Sequence, residues 1–231
     1  MTAVEILIFV LECVAIASYA VSGTIVAIQK RADVFGALFF AFATAFGGGL
    51  MRDLTIGKHP PLLFDSREYA ILAAICLVSS LTVFLVSFAG NNADRLTHNI
   101  HNLLIEGTDM IGLAFFCVLG VESALSSAPD LAGNRALLIF CGCITSVGGG
   151  ILRDVLSAQI PLLFRKHIYF IPALLGSICY VYLLPHTNRL LAILASVSIV
   201  LVLRILAIRF RWNLPTPLGR KEEAPHPKDP S

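Results

Sequence analysis

Two stretches of this chain, Thr44–Phe64 (TAFGGGLMRDLTIGKHPPLLF) and Thr145–Phe164 (TSVGGGILRDVLSAQIPLLF), carry one pattern. In each, three consecutive glycines precede two apolar residues, an Arg-Asp pair and a Pro-Leu-Leu-Phe tail, with one residue fewer between Asp154 and Pro161 than between Asp53 and Pro61. Both stretches begin inside apolar runs long enough to cross a bilayer. Glycine in a helix interior costs roughly 1 kcal/mol relative to alanine, and an arginine at membrane depth costs about 2.5 to 3.5 kcal/mol. A chain that places both at one spot, twice, is using them.

Composition sets the solvent. With 57% hydrophobic residues, 14% charged and a mean hydropathy of +0.82, the chain is an integral membrane protein. The first apolar run has neither a basic region before it nor a small-residue cleavage site after it, so the first helix is expected to stay in the protein. All six cysteines (Cys13, Cys76, Cys117, Cys141, Cys143 and Cys179) lie in apolar runs and read as small buried side chains. Cys141 and Cys143 have no further ligand at metal spacing, so no metal site is expected. There is no nucleotide-binding loop and no catalytic constellation. The chain is read as a non-enzyme with no cofactor and no nucleic-acid partner.

The expected fold is an all-α membrane protein of seven transmembrane helices, at about 4–28, 34–56, 69–89, 103–125, 135–156, 168–184 and 190–208. Residues 4–89 form a first three-helix repeat and 103–184 a second, with 90–102 a polar connector, 190–208 an unpaired seventh span and 209–231 a disordered cytoplasmic tail. An odd number of spans per repeat inverts the second unit relative to the first. Many transport proteins are built this way, with the site at the midplane where the repeats meet. One set of loops holds Lys30, Arg31, Arg95, Arg153, Arg165, Lys166 and the basic C-terminus, whereas the other holds only Arg52, Lys58, Arg67, Arg135 and Arg189. The positive-inside rule therefore puts the N-terminus outside and the C-terminus in the cytoplasm of the inner membrane.

The candidate site follows from the repeat. Gly47, Gly48 and Gly49, with Gly148, Gly149 and Gly150, are expected to unwind or bend their helices. The backbone carbonyls of Thr44, Ala45, Phe46, Thr145, Ser146 and Val147 would then face a wet cavity, and such groups suit cations. Close packing of two helices through small residues is the alternative use of the same glycines. Arg52 and Arg153 follow about one turn later, each trailed by Asp53 or Asp154. Adjacent residues on a helix do not face one another, so the salt bridges are expected to reach other helices. Glu12 and Asp109, symmetry mates in helices 1 and 4, are the partner candidates, and Gly23 matches Gly120. Glu106, Glu122, Lys30 and Lys58 read as snorkelling end residues, Tyr69 and Tyr169 as interfacial anchors, and His98 and His101 as connector residues in water. Arg204, Arg209 and Arg211 with Trp212 read as a membrane-surface anchor for anionic lipid.

Two inverted three-helix units, each with a GGG-x-x-R-D segment in its second helix, plus a lone seventh helix, resemble the prokaryotic trimeric intracellular cation (TRIC) channels, some members of which are labelled glycine transporters. The resemblance covers about residues 4–208. It implies a homotrimer in membrane lipid with a pore in each subunit, bent at the glycine triplets and passing potassium and sodium. Carried over by motif, the pore elements are Gly47, Gly48, Gly49, Arg52 and Asp53 with Gly148, Gly149, Gly150, Arg153 and Asp154. The Lys-Glu-Val type lipid motif of the animal channels is absent, so phosphoinositide regulation does not transfer. A carrier for a small zwitterion such as glycine, held by helix N-terminal amides and an acid, stays open beside the channel reading.

Overall fold

The computed structural model describes residues 2–64, 67–89, 97–161, 163 and 169–210. Its helices are α1 (Ala3–Gln29), α2 (Val34–Thr55), α3 (Arg67–Ala89), α4 (Thr97–Ser127), α5 (Arg135–Leu156), α6 (Phe170–Leu183) and α7 (Arg189–Arg209), with no strand among the described residues. Six are long and apolar enough to span a bilayer, and α6, at 14 residues, is shorter. Short polar signals set the boundaries. Thr2 and Glu5 form a capping box at the start of α1 (2.8 and 3.3 Å). The central helix of each repeat starts on a side-chain cap: Asp33 accepts the Gly36 N–H at 2.8 Å, and Asn134 accepts that of Leu137 at 3.1 Å.

Those two helices also end alike. At α2 the Lys58 N–H donates to Asp53 O (2.9 Å) and the Gly57 N–H to Leu54 O (3.3 Å); at α5 Gln159 donates to Asp154 O (2.9 Å) and Ala158 to Val155 O (3.0 Å). Both are Schellman ends, which need a left-handed residue after the cap. Gly57 supplies it at φ 70°, and Ala158 takes the same conformation at φ 54°.

The polar stretch 90–102 is only partly a connector. Helix α4 begins at Thr97, so residues 97–102 are helical, with His98 and His101 in its first turns, while 90–96 lie outside the described residues. The tail from residue 211, with Arg211 and Trp212, likewise lies outside the described residues, as do Arg95, Arg165 and Lys166.

Helices α1, α2, α4 and α5 make the centre, with α3 against α1 and α2, α6 against α4 and α5, and α7 against α6 and α4. Sequence repetition becomes spatial symmetry at the crossings. Gly23 of α1 lies against Phe40 O and Thr44 Oγ1 of α2, where an added Cβ would be 2.6 and 2.7 Å away. Gly120 of α4 lies the same way against Cys141 O and Thr145 Oγ1, at 2.7 and 2.6 Å. At the middle, Gly48 of α2 meets the backbone of Thr145 and Gly149 of α5 meets that of Thr44. Pairing 44 with 149 and 48 with 145 means that α2 and α5 run antiparallel, as inverted repeats require. Large apolar side chains such as Phe35, Val86 and Phe88 point outward, which suits a lipid-covered surface.

Neither α2 nor α5 is interrupted at its triplet: both are α-helical from end to end. The expected unwinding is therefore corrected. The residues from Thr44 to Phe46 and from Thr145 to Val147 lie inside these helices, and the carbonyls of Thr44 and Thr145 face the glycines of the opposite helix. Removing every Cβ at the crossing lets two backbones approach closely enough for dense packing and Cα–H···O contacts, which offset the low helix propensity of glycine.

Candidate functional site

Each triplet is followed one turn later by its Arg-Asp pair, and the antiparallel crossing sends the two pairs to opposite sides of it. In the first half, Arg52 turns back on its own neighbour: Nε and Nη2 donate to Asp53 Oδ1 at 2.9 and 2.7 Å. The other carboxylate oxygen, Oδ2, accepts the Leu62 N–H at 2.8 Å. In this half the Pro-Leu-Leu-Phe tail thus closes over the pair. Arg52 and Asp53 are buried, and beside them lies a cavity of about 30 Å³. Glu12 from α1, Gly49 and Tyr69 line it. It has room for one or two water-sized particles.

The second half repeats the set with shorter reach. Arg153, 1% exposed, donates through Nε to Asp154 Oδ1 at 2.9 Å and through Nη1 to Asp109 Oδ1 at 2.5 Å. Ser22 of α1 joins them, accepting from Arg153 Nη1 and donating to Asp109 Oδ1 at 2.7 Å. Tyr169 donates to Asp109 Oδ2 at 3.4 Å. Tyr19 of α1 donates to the Ser146 carbonyl on α5, so one backbone oxygen of that segment holds a hydroxyl. A buried ion pair is stable only with its remaining donors and acceptors met, and here a serine and a tyrosine complete it.

Several expectations change. The salt bridges do reach another helix at Asp109–Arg153, but Arg52–Asp53 and Arg153–Asp154 also pair between adjacent residues. In each pair the buried arginine stem curls back to the nearest carboxylate. Tyr69 and Tyr169 are walls of the two half-sites rather than interfacial anchors. Glu122 does not snorkel: it is 8% exposed, accepts from Tyr180, and pairs with Arg189 of α7, whose Nε donates at 2.9 Å. Arg204 is no surface anchor; it is buried against the ring of Tyr169, 4.6 Å from guanidinium carbon to centroid. Tyr19, Ser22 and Arg204 were not read as site residues. Ser22, directly before the matched Gly23, and Tyr169, in register with Tyr69, were the signals available.

Two inverted helical units with charged pairs buried either side of their crossing form an architecture shared by many membrane transport proteins. A family model described as "Glycine transporter" matches residues 9–87 and 107–185, one match on each repeat. The inner membrane protein YadS of Escherichia coli K12, of the group UPF0126, is 33% identical over 91% of this chain and 96% of its own. A solved TRIC cation channel from a study of conductance superposes with a TM-score of 0.75 and 33% identity, over 93% of this chain and 98% of that one. The trimeric intracellular cation channel orthologue of Rhodobacter sphaeroides gives 0.76 and 26%, over 88% and 98%. The chain belongs to this family, and by sequence and fold to the TRIC cation channels.

Proposed function

We propose that the protein is a monovalent-cation channel, permeable to potassium and admitting sodium, that works as a homotrimer with one conduction path inside each subunit. The observation that carries this reading is the pair of half-sites, one on either side of the α2–α5 crossing, each with an acid from α1 or α4 beside a buried Arg-Asp pair. Paired acids neutralise the arginines and leave acceptor oxygens for a passing cation. The glycine crossing is the constriction between them, and opening bends α2 and α5 at Gly47–Gly49 and Gly148–Gly150, where the backbone carries no side chains of its own to stiffen it. The solved TRIC relatives, described as cation channels and as trimeric, support the ion class and the assembly. The charge bias of the loops supports an N-terminus outside and a C-terminus in the cytoplasm.

The description of the matching family model favours a second reading, a carrier for glycine. Proteoliposomes separate the two. A channel gives passive potassium efflux that external glycine does not change; saturable glycine uptake with counterflow and no potassium flux would replace the channel by the carrier.

A further inference from the structure

The two half-sites share a motif but not the side chains that the opposite repeat presents to them. With Glu12 matched to Asp109 and Gly23 to Gly120, Tyr19 and Ser22 of α1 correspond to Phe116 and Leu119 of α4. Helix α4 gives its apolar pair to the first half-site: Phe116 and Leu119 line the cavity of about 30 Å³ beside Arg52, and neither side chain can hydrogen-bond. Helix α1 gives its hydroxyl pair to the second. There Tyr19 donates to the Ser146 carbonyl, and Ser22 bridges Arg153 and Asp109.

Those hydroxyls take up the matching space. The void of the second half-site is bounded by Gly150, Arg153, Asp154, Leu163 and Tyr169, the counterparts of Gly49, Arg52, Asp53, Leu63 and Tyr69 around the first cavity. It stops short of Asp109 and Ser146, although their counterparts Glu12 and Ala45 line the first, and among the described residues it leaves no water-sized room. The missing part is the part to which Tyr19 and Ser22 are bonded. The Tyr19 ring also has a seat of its own, since a Cβ at Gly112 of α4 would collide with it, and the matching position in α1 is Ala15. The rings of Tyr19 and Phe116 lie against each other with centroids 5.2 Å apart, so one contact carries the whole difference between the halves.

We infer that the Tyr19 hydroxyl is a tethered surrogate for water at the Ser146 carbonyl, and that the exchange of Tyr19 for Phe116 between the repeats decides which half-site is wet. A side-chain hydroxyl meets a buried polar group as a water would, with no water to immobilise. The first half-site, with its smooth ring, holds water; the second is dry until Tyr19 moves. The consequence for conduction rests on the channel reading above, but the consequence for hydration does not.

The test uses the full-length protein in nanodiscs, irradiated by an X-ray pulse that oxidises side chains beside bound water, with mass spectrometry reading Tyr69 and Tyr169. In the parent, Tyr69 is oxidised faster than Tyr169. Tyr19→Phe raises the rate at Tyr169 toward that of Tyr69, Phe116→Tyr lowers the rate at Tyr69 toward that of Tyr169, and the double variant reverses the parent's order. Phe116→Tyr breaks no hydrogen bond and has a cavity to receive its hydroxyl, so it decides the matter should Tyr19→Phe fail to fold. In bilayers, Tyr19→Phe conducts about fivefold more than the parent and Phe116→Tyr about fivefold less, the weight of one hydrogen bond. Unchanged oxidation at Tyr69 in Phe116→Tyr, or a folded Tyr19→Phe with Tyr169 unchanged, overturns the inference, whatever the currents do. Oxidation that shifts as expected in a protein that passes no current in any variant removes the channel reading and leaves the surrogate water standing.

Discussion

Alanine at the glycines tests the crossing, because adjacent positions should respond with opposite signs. A Cβ at Gly48 would lie 2.9 Å from Thr145 C and nearer still to its oxygen; at Gly149 it would lie 3.0 Å from Thr44 C and nearer to that oxygen. Ordinary contact begins at 3.4 Å, so α2 and α5 must part. Overpacking of this kind costs about 1–3 kcal/mol, against roughly 1 kcal/mol gained in helix propensity. The balance weakens the closed crossing by about 1 kcal/mol. At Gly49 and Gly150 the nearest atoms stand 3.8 and 3.5 Å away, both at ordinary contact distance, so alanine there keeps its gain and stiffens the helix against bending. The two classes then differ by roughly 2 kcal/mol, about thirtyfold in the ratio of open to closed. Single-channel open probability, read with thermal unfolding of the purified protein, measures it: Gly48→Ala and Gly149→Ala raise opening and lower the melting temperature, and Gly49→Ala and Gly150→Ala do the reverse. A shift in the same direction at Gly48 and Gly49 would refute the close-crossing argument.

Asp109→Asn leaves Arg153 with Asp154 and Ser22 at a fully buried site, and unfolding in detergent should register a loss of about 1.5–3 kcal/mol, that of a hydrogen bond to a charged group; a loss under half a kcal/mol would mean that the pair is replaceable. Ala158→Gly relieves a left-handed alanine at the end of α5 and should stabilise by about 0.5–1 kcal/mol, while Gly57→Ala at the matching end of α2 destabilises by a similar amount, both read as melting shifts. Glu122→Gln removes the charge that ties Arg189 of α7 to α4; with Arg189 43% exposed, the effect should stay near 1 kcal/mol, seen as faster hydrogen exchange confined to the start of α7.

The architecture was legible because a membrane leaves few choices: runs of the right length become helices, and a repeat with an odd number of them must invert. The triplets and Arg-Asp pairs were equally visible; the triplets meet at the crossing and the pairs lie on either side of it. Their geometry was not. Three glycines read alike as a break or as a contact surface, and only the backbone of Thr145 against Gly48 decides between them. Arg204 and Glu122 were misread for one reason: a charged residue near a helix end looks the same in sequence whether it faces water or a partner helix, and their partners Tyr169 and Arg189 are distant along the chain. The adjacent Arg52–Asp53 pair escaped because facing rules describe side chains in bulk solvent, not a buried arginine whose nearest carboxylate is its neighbour's.

The most direct test of the central claim is the reversal potential of the purified, reconstituted protein in a planar bilayer under a potassium chloride gradient. Current that reverses near the potassium equilibrium potential, with sodium carried as well, is the predicted result. A bilayer that stays silent at every voltage and in every glycine-crossing variant, or a reversal at the chloride potential, would contradict it.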